Sequence, residues 1–340
     1  MPNNARNRLA ASFLAACLMA MPSAAFAWGQ QAHAAIDGAA IEALPADGPI
    51  FLKAQIDYVT GSATLPDKWR AASEPFAKIE EDPNHGWFRE QFAFLSPIPR
   101  SRYAFVLALY RERQRIKESD PEAAARTNVR WTGTLPYAVM EQYENLVAQM
   151  RLLREARAKG RADQARFLEQ SCAFTVVRLG HYIGDRSQPL HVSVNSDGWR
   201  GPNPAGFTRS GTVHSKFESR YVALIGLTPA DAASRMRPIA RQDGDLFSEI
   251  LAFLEESGRH VEAVYQLDSR GALDNTGDTA ARELVIDRTA AGAALLRDVI
   301  VRAWHQSATP PLDTPDPLDP ANPDYDPDTG SAPAAFQLRR

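Results

Sequence analysis

Five of the seven histidines, His33, His85, His181, His191 and His214, are set among three carboxylates, Asp67, Asp185 and Glu218. The densest stretch is "GHYIGDRSQPLHV", residues 180–192, where two histidines flank an aspartate. His181 and Asp185 are four apart, so on a helix both project from one face. His214 and Glu218 repeat that spacing in "HSKFE". Imidazole and carboxylate donors without a thiolate are a zinc-type ligand set. A single such pair also suits a polar helix end. Burying His181 and Asp185 unpartnered on an apolar helix would cost on the order of 2–7 kcal/mol, and a cation offsets that more fully than one hydrogen bond.

The elements that must position these groups have helical periodicity. Residues 101–118, 135–160, 163–185, 228–269 and 279–306 each predict helix, and 163–185 is apolar on more than one side, as a central buried helix would be. Pro189 ends or bends that helix before His191. Loops are expected at 64–70, 80–88 and 195–215, where Pro, Gly and Asn concentrate. Alternating strand patterns and repeats are missing, so the fold class is mainly α. His260 and His305 fall on amphipathic stretches with no matched acid and read as surface or capping residues.

The 340-residue chain divides into three parts. Residues 1–27 have the charged start, apolar run and small-residue "SAAFA" of a cleaved signal peptide. Residues 309–340 are dense in Pro and Asp and are expected to be disordered or extended. Between them, 28–308 makes one catalytic-sized domain. Cleavage after Ala27 would leave Trp28 first, with an amino group and carbonyl able to chelate a metal beside His33. The export signal implies a secreted or periplasmic protein, and no other stretch is apolar enough to span a bilayer. Lys and Arg total 38 against 41 Asp and Glu, so no large basic face advertises duplex DNA binding. Cys172 has no partner once Cys17 leaves with the leader, and is expected in the core.

The ordered set Trp28, His33, Asp67, His85, His181-x3-Asp185-x5-His191 and His214-x3-Glu218 resembles the zinc-dependent phospholipase C and single-strand-specific (S-one/P-one type) nuclease superfamily. The resemblance spans residues 28–218. It implies a single helical domain with a trinuclear zinc cleft and a monomeric enzyme. It assigns one zinc to Asp67, His85, His181 and Asp185, and a second to the Trp28 amine and carbonyl, His33 and a shared Asp185. A third would take His191, His214 and Glu218.

The implied reaction is phosphodiester hydrolysis by a metal-bridged hydroxide, with Asp67 orienting the water and Arg70 steadying the phosphate. Trp87 and Phe88 are candidates to stack on a base. Single-stranded DNA or RNA is the preferred substrate, because the Trp28–His33 spacing and the arginine three residues after Asp67 match the nuclease branch. Glu218 and the departure at "HGWF" match it less well and keep phosphatidylcholine-type lipid as the alternative. A non-catalytic zinc-binding protein is a third reading, disfavoured by the pairing of Arg70 with Asp67.

Overall fold

A computed structural model describes residues 28–240, 243–311 and 313–334. The expected leader, 1–27, lies outside the described residues, as does 335–340. Six helices of 13 residues or more carry the structure: α1 Gln30–Glu42, α2 Arg102–Ile116, α3 Leu135–Ala158, α4 Ala162–Ser187, α5 Leu246–Gly258 and α6 Thr279–Ser307. Among the described residues there is no strand; one isolated bridge pairs Asp326 with Ser331. None of the described helices is long and apolar enough to cross a membrane.

α3 and α4 pack along each other as a hairpin closed at Gly160, whose φ of +66° is a conformation that glycine adopts without steric penalty. α1 and α6 cover them, which encloses the second half of α4. From Thr175 to Ser187 every residue of α4 except Arg178 is buried, and the expected central helix is this one. α4 stops at Ser187: Gln188 is extended, as a residue before proline prefers, and Pro189 opens a 3-10 turn through Val192. His191 is thereby turned back toward the helix end that carries Asp185. Cys172 is buried and free.

Two expectations need correction. The stretch 228–269 is not one helical run but Pro229–Ala233, α5 and Val261–Ser269, since Pro238 and Gly244 interrupt the backbone ladder between the first two. The expected loops contain single helical turns at Leu65–Lys68, Asp82–His85 and Thr212–Ser215, and the loop expected at 80–88 begins with the last two residues of a helix, Pro75–Glu81. Over 313–334 the tail is described as a chain of turns: Asp side chains at 316, 319 and 326 accept from backbone N–H groups two residues on, and Arg100 donates to the Ala334 carbonyl. Asp-rich composition here supplies turn hydrogen bonds in place of a core.

Candidate metal centre

The long helices bring the first ligands together. His33 on α1 faces His181 and Asp185 on α4; the two imidazoles stack with centroids 4.2 Å apart, and His33 Nε2 lies 3.4 Å from Asp185 Oδ1. This approach depends on Gly184, where a Cβ would lie 2.5 Å from His33 Nδ1. Asp185 Oδ2 points the other way, 2.9 Å from His85 Nδ1 and 3.6 Å from His181 Nε2. Asp67, on its helical turn, completes this side at 3.6 Å from His85 Nδ1 and 3.7 Å from His181 Nε2. One carboxylate therefore offers an oxygen to each of two neighbouring groups, a division an imidazole with one free nitrogen cannot make.

The remaining three donors come from shorter elements. His214 Nε2 is 3.0 Å and His191 Nε2 3.7 Å from Glu218 Oε2. Glu218 sits in a π-helical segment, Lys216–Tyr221, that continues the turn bearing His214. Such segments are rare and concentrate at functional sites. The histidine and the acid still share a face, as their spacing predicted.

Three sets of side-chain donor atoms, each lying within 4.8 Å of one another, result: His33, His181 and Asp185; Asp67, His85 and His181; His191, His214 and Glu218. Eight buried side-chain atoms of these ligands have no hydrogen-bond partner, among them both His33 nitrogens, Asp67 Oδ2, Asp185 Oδ1, Glu218 Oε1 and the Nε2 atoms of His85, His191 and His214. Buried polar atoms are otherwise nearly always paired. Donors gathered in a buried interior in this way could hold cations, and the residues present fit the metal ions expected of them, with His85 turning Nδ1 toward Asp67 and Asp185 and Nε2 toward Glu81.

Outer contacts leave the correct nitrogens free. His181 Nδ1 bonds the Ala63 carbonyl at 2.8 Å, His191 Nδ1 the His85 carbonyl at 2.5 Å, and His214 Nδ1 Asp197 Oδ1 at 3.2 Å. Each fixes its ring with Nε2 inward, the arrangement by which second partners orient metal ligands. His85 Nε2 lies 3.2 Å from Glu81 Oε1, an acid that accepts from Tyr182 at 2.6 Å. None of Glu81, Asp197 or Gly184 was singled out from sequence; the i,i+4 spacing of Glu81 and His85 and the Gly three residues after His181 were the readable signals.

Burial controls the protonation of this site. It pushes Asp185 well above the carboxylate range and carries Asp67 to about 6 against the pull of Arg70. It lowers His181 to about 3. Burial opposes charge on His214 too, but Glu218 and Asp197 outweigh it and raise that ring to about 10. Placing divalent cations here would hold the acids ionised and displace the protons.

A cavity of about 690 Å3 opens over His85, His191 and His214. Arg70, Lys78, Arg126, Arg130 and Arg200 line it, with Asp82, Glu90 and Asp197 as its acids. Arg70 is clamped by Asp82 at 2.9 Å and Asp67 at 3.3 Å. Phe88 also lines the cavity. Trp87 does not: 3% exposed, it packs among Phe92, Phe105 and Tyr137, so it is core and cannot stack on substrate. Trp131, 44% exposed at the cavity rim, is an aromatic the sequence reading missed.

Of the other sequence candidates, the Trp28 side chain is fully buried against Phe217 and donates to Ser187 Oγ at 3.0 Å, beside the cluster. His260 does have a matched acid, Glu256, 3.0 Å away and one turn earlier. Compared with family models, with curated proteins and with solved structures, the chain matches none. The nine-position motif and the geometry built on it therefore carry the functional argument.

Proposed function

We propose that the protein is a zinc-dependent phosphodiester hydrolase acting on single-stranded nucleic acid. The observation that carries this reading is that two of the three ligand groups reach, through His85 and through His191 and His214, a cavity lined by five cationic side chains. A structural metal site has a closed shell and needs no such opening. A phosphodiester would enter with its charge facing Arg70, whose guanidinium stays protonated and forked toward phosphoryl oxygens. Asp82 and Asp67 hold that guanidinium in one orientation, so little reorganisation is needed as negative charge grows on phosphorus. Asp67 also borders His85 and His181, where its carboxylate can accept a proton from an attacking water. Zinc ions in these groups would supply Lewis acidity and a lowered pKa of water. Phe88 at the wall offers an apolar contact.

One observation favours phospholipid as a second reading. On the short helix Pro75–Glu81, Phe76 is 91% and Ile79 74% exposed, while Lys78 of the same helix lines the cavity. Two outward apolar side chains beside a cationic cavity suit a lipid surface. The deciding experiment offers the protein single-stranded DNA, RNA and phosphatidylcholine vesicles, with and without chelator. Chelator-sensitive nucleotide release with intact lipid supports the nuclease reading. Lipid cleavage alone transfers the site to the second reading. Bound zinc with no turnover of either leaves a binding protein.

A further inference from the structure

We propose that Arg130 and Trp131 form a second nucleotide subsite at the cavity rim, so that the substrate spans the hydrolytic centre and at least one neighbouring nucleotide. The inference rests on the nuclease reading above and deepens it.

Three observations support it. First, one carboxylate sets two guanidinium groups side by side. Asp82 Oδ1 accepts from Arg70 Nε at 2.9 Å, and Asp82 Oδ2 lies 2.9 Å from Arg130 Nη1. Arg70 belongs to the ligand cluster; Arg130, with its side chain 66% exposed, faces the opening. Paired cations at an inner and an outer station match consecutive phosphates of a strand better than a single charged head.

Second, Trp131 presents an indole on the cavity wall, with the Arg130 guanidinium carbon 5.7 Å from its ring centroid. An exposed aromatic joined to arginine is the combination that stacks a base of any identity.

Third, this rim is bound to the ligand loop through backbone. Phe88 N–H donates to the Thr132 carbonyl at 2.9 Å, Thr134 N–H to Pro83 at 2.7 Å and Leu135 N–H to Gly86 at 3.3 Å. Gly133, at φ +74°, permits the contact: a Cβ there would meet the Gly86 carbonyl oxygen at 1.8 Å. The turn Val129–Thr132 is thus fixed relative to His85, which lets binding at the rim position a phosphate at the cluster.

The test compares kcat/KM for dithymidylate with that for bis(p-nitrophenyl) phosphate, a diester without bases. Trp131→Ala should lower the ratio of the two about tenfold, and Trp131→Phe should restore most of it. Equal losses on both substrates, or none, would overturn the subsite. A parallel titration measures anisotropy of a fluorescent tetrathymidylate with phosphorothioate linkages, which resists cleavage. Arg130→Ala and Trp131→Ala should each weaken it about tenfold; unchanged affinity overturns the proposal even in a chain that hydrolyses neither diester. If the wild type cleaves no diester yet Trp131→Ala weakens the tetranucleotide, the subsite stands and the hydrolase reading fails. Loss of phosphatidylcholine vesicle binding in Trp131→Ala with nucleotide affinity intact would assign the rim to lipid.

Discussion

The two sides of the ligand cluster are built by different means. His33, His181 and Asp185 stand on α1 and α4, where they are fully buried and placed by helix packing through Gly184. His191, His214 and Glu218 stand on a 3-10 turn, a single α-turn and a π-helical segment, and are aimed by polar contacts to the His85 carbonyl, Asp197 and Gln188. The packed side is dry, all three side chains being fully buried, and its acid, Asp185, is hard to ionise without cations. The other side borders the cavity and includes a His–Glu pair already favouring charge. Helix packing thus places the donors that lie away from the cavity, while polar contacts aim those that border it.

The sharpest way to break this contrast is Asp185→Asn. Its two oxygens serve two groups, so the variant should lose two of three bound ions and all hydrolysis, whereas Glu218→Gln should lose one. Metal content by atomic emission reads the difference; equal losses would show that Asp185 does not bridge. Next is Gly184→Ala, which overpacks the dry side at His33 and should destabilise by ~1–3 kcal/mol while removing one ion. A chain that keeps both its stability and its metal would mean His33 has room to move. Asp197→Ala tests the polar side: affinity for one ion should fall about 10–100-fold with global stability nearly unchanged. A drop in the affinity of all three ions would merge the two sides into one.

The smallest effect concerns Asp37, one turn beyond His33 on α1. It is fully buried, neither oxygen has a hydrogen-bond partner, and Oδ1 lies where a Cβ on Gly180 would come within 2.2 Å. Burial raises its pKa well above 3.8. The folded state thus keeps a proton that the unfolded state releases once pH exceeds its ordinary value. Stability associated with Asp37 is present below that value and declines as pH rises. Asp37→Asn should therefore raise Tm more at pH 8 than at pH 4. An equal shift at both would show that Asp37 is ionised in the fold. No histidine is hydrogen-bonded to this acid, whereas His85 lies 2.9 Å from Asp185, which is the comparison in miniature.

Much of the centre was readable before any coordinates. Donor types, i,i+4 spacings and the Pro189 break follow from chemistry and helix geometry, and every side-chain ligand so chosen lies in the cluster. The aromatic assignment was not readable. Trp87 and Trp131 flank short turns of similar composition, and whether each indole is covered depends on Phe92, Phe105 and Tyr137 arriving from elsewhere in the chain. Asp82 and Asp197 were missed because their partners Arg70 and His214 lie 12 and 17 positions away, whereas Glu81, four residues before His85, had a readable spacing. An acid's partner is visible in sequence only when both lie on one helix.

The sequence by itself determined the mainly helical class, the break after α4 and the identity of the side-chain donors, because these depend on neighbours within a turn or two. Tertiary structure alone decided that a π-helical segment carries Glu218 and that five cations line one cavity in a chain whose total charge is nearly balanced. The ligand cluster too depends on distances between residues a hundred or more positions apart, as between His85 and Asp185 and between His33 and Asp185. Only packing of the helices sets such distances.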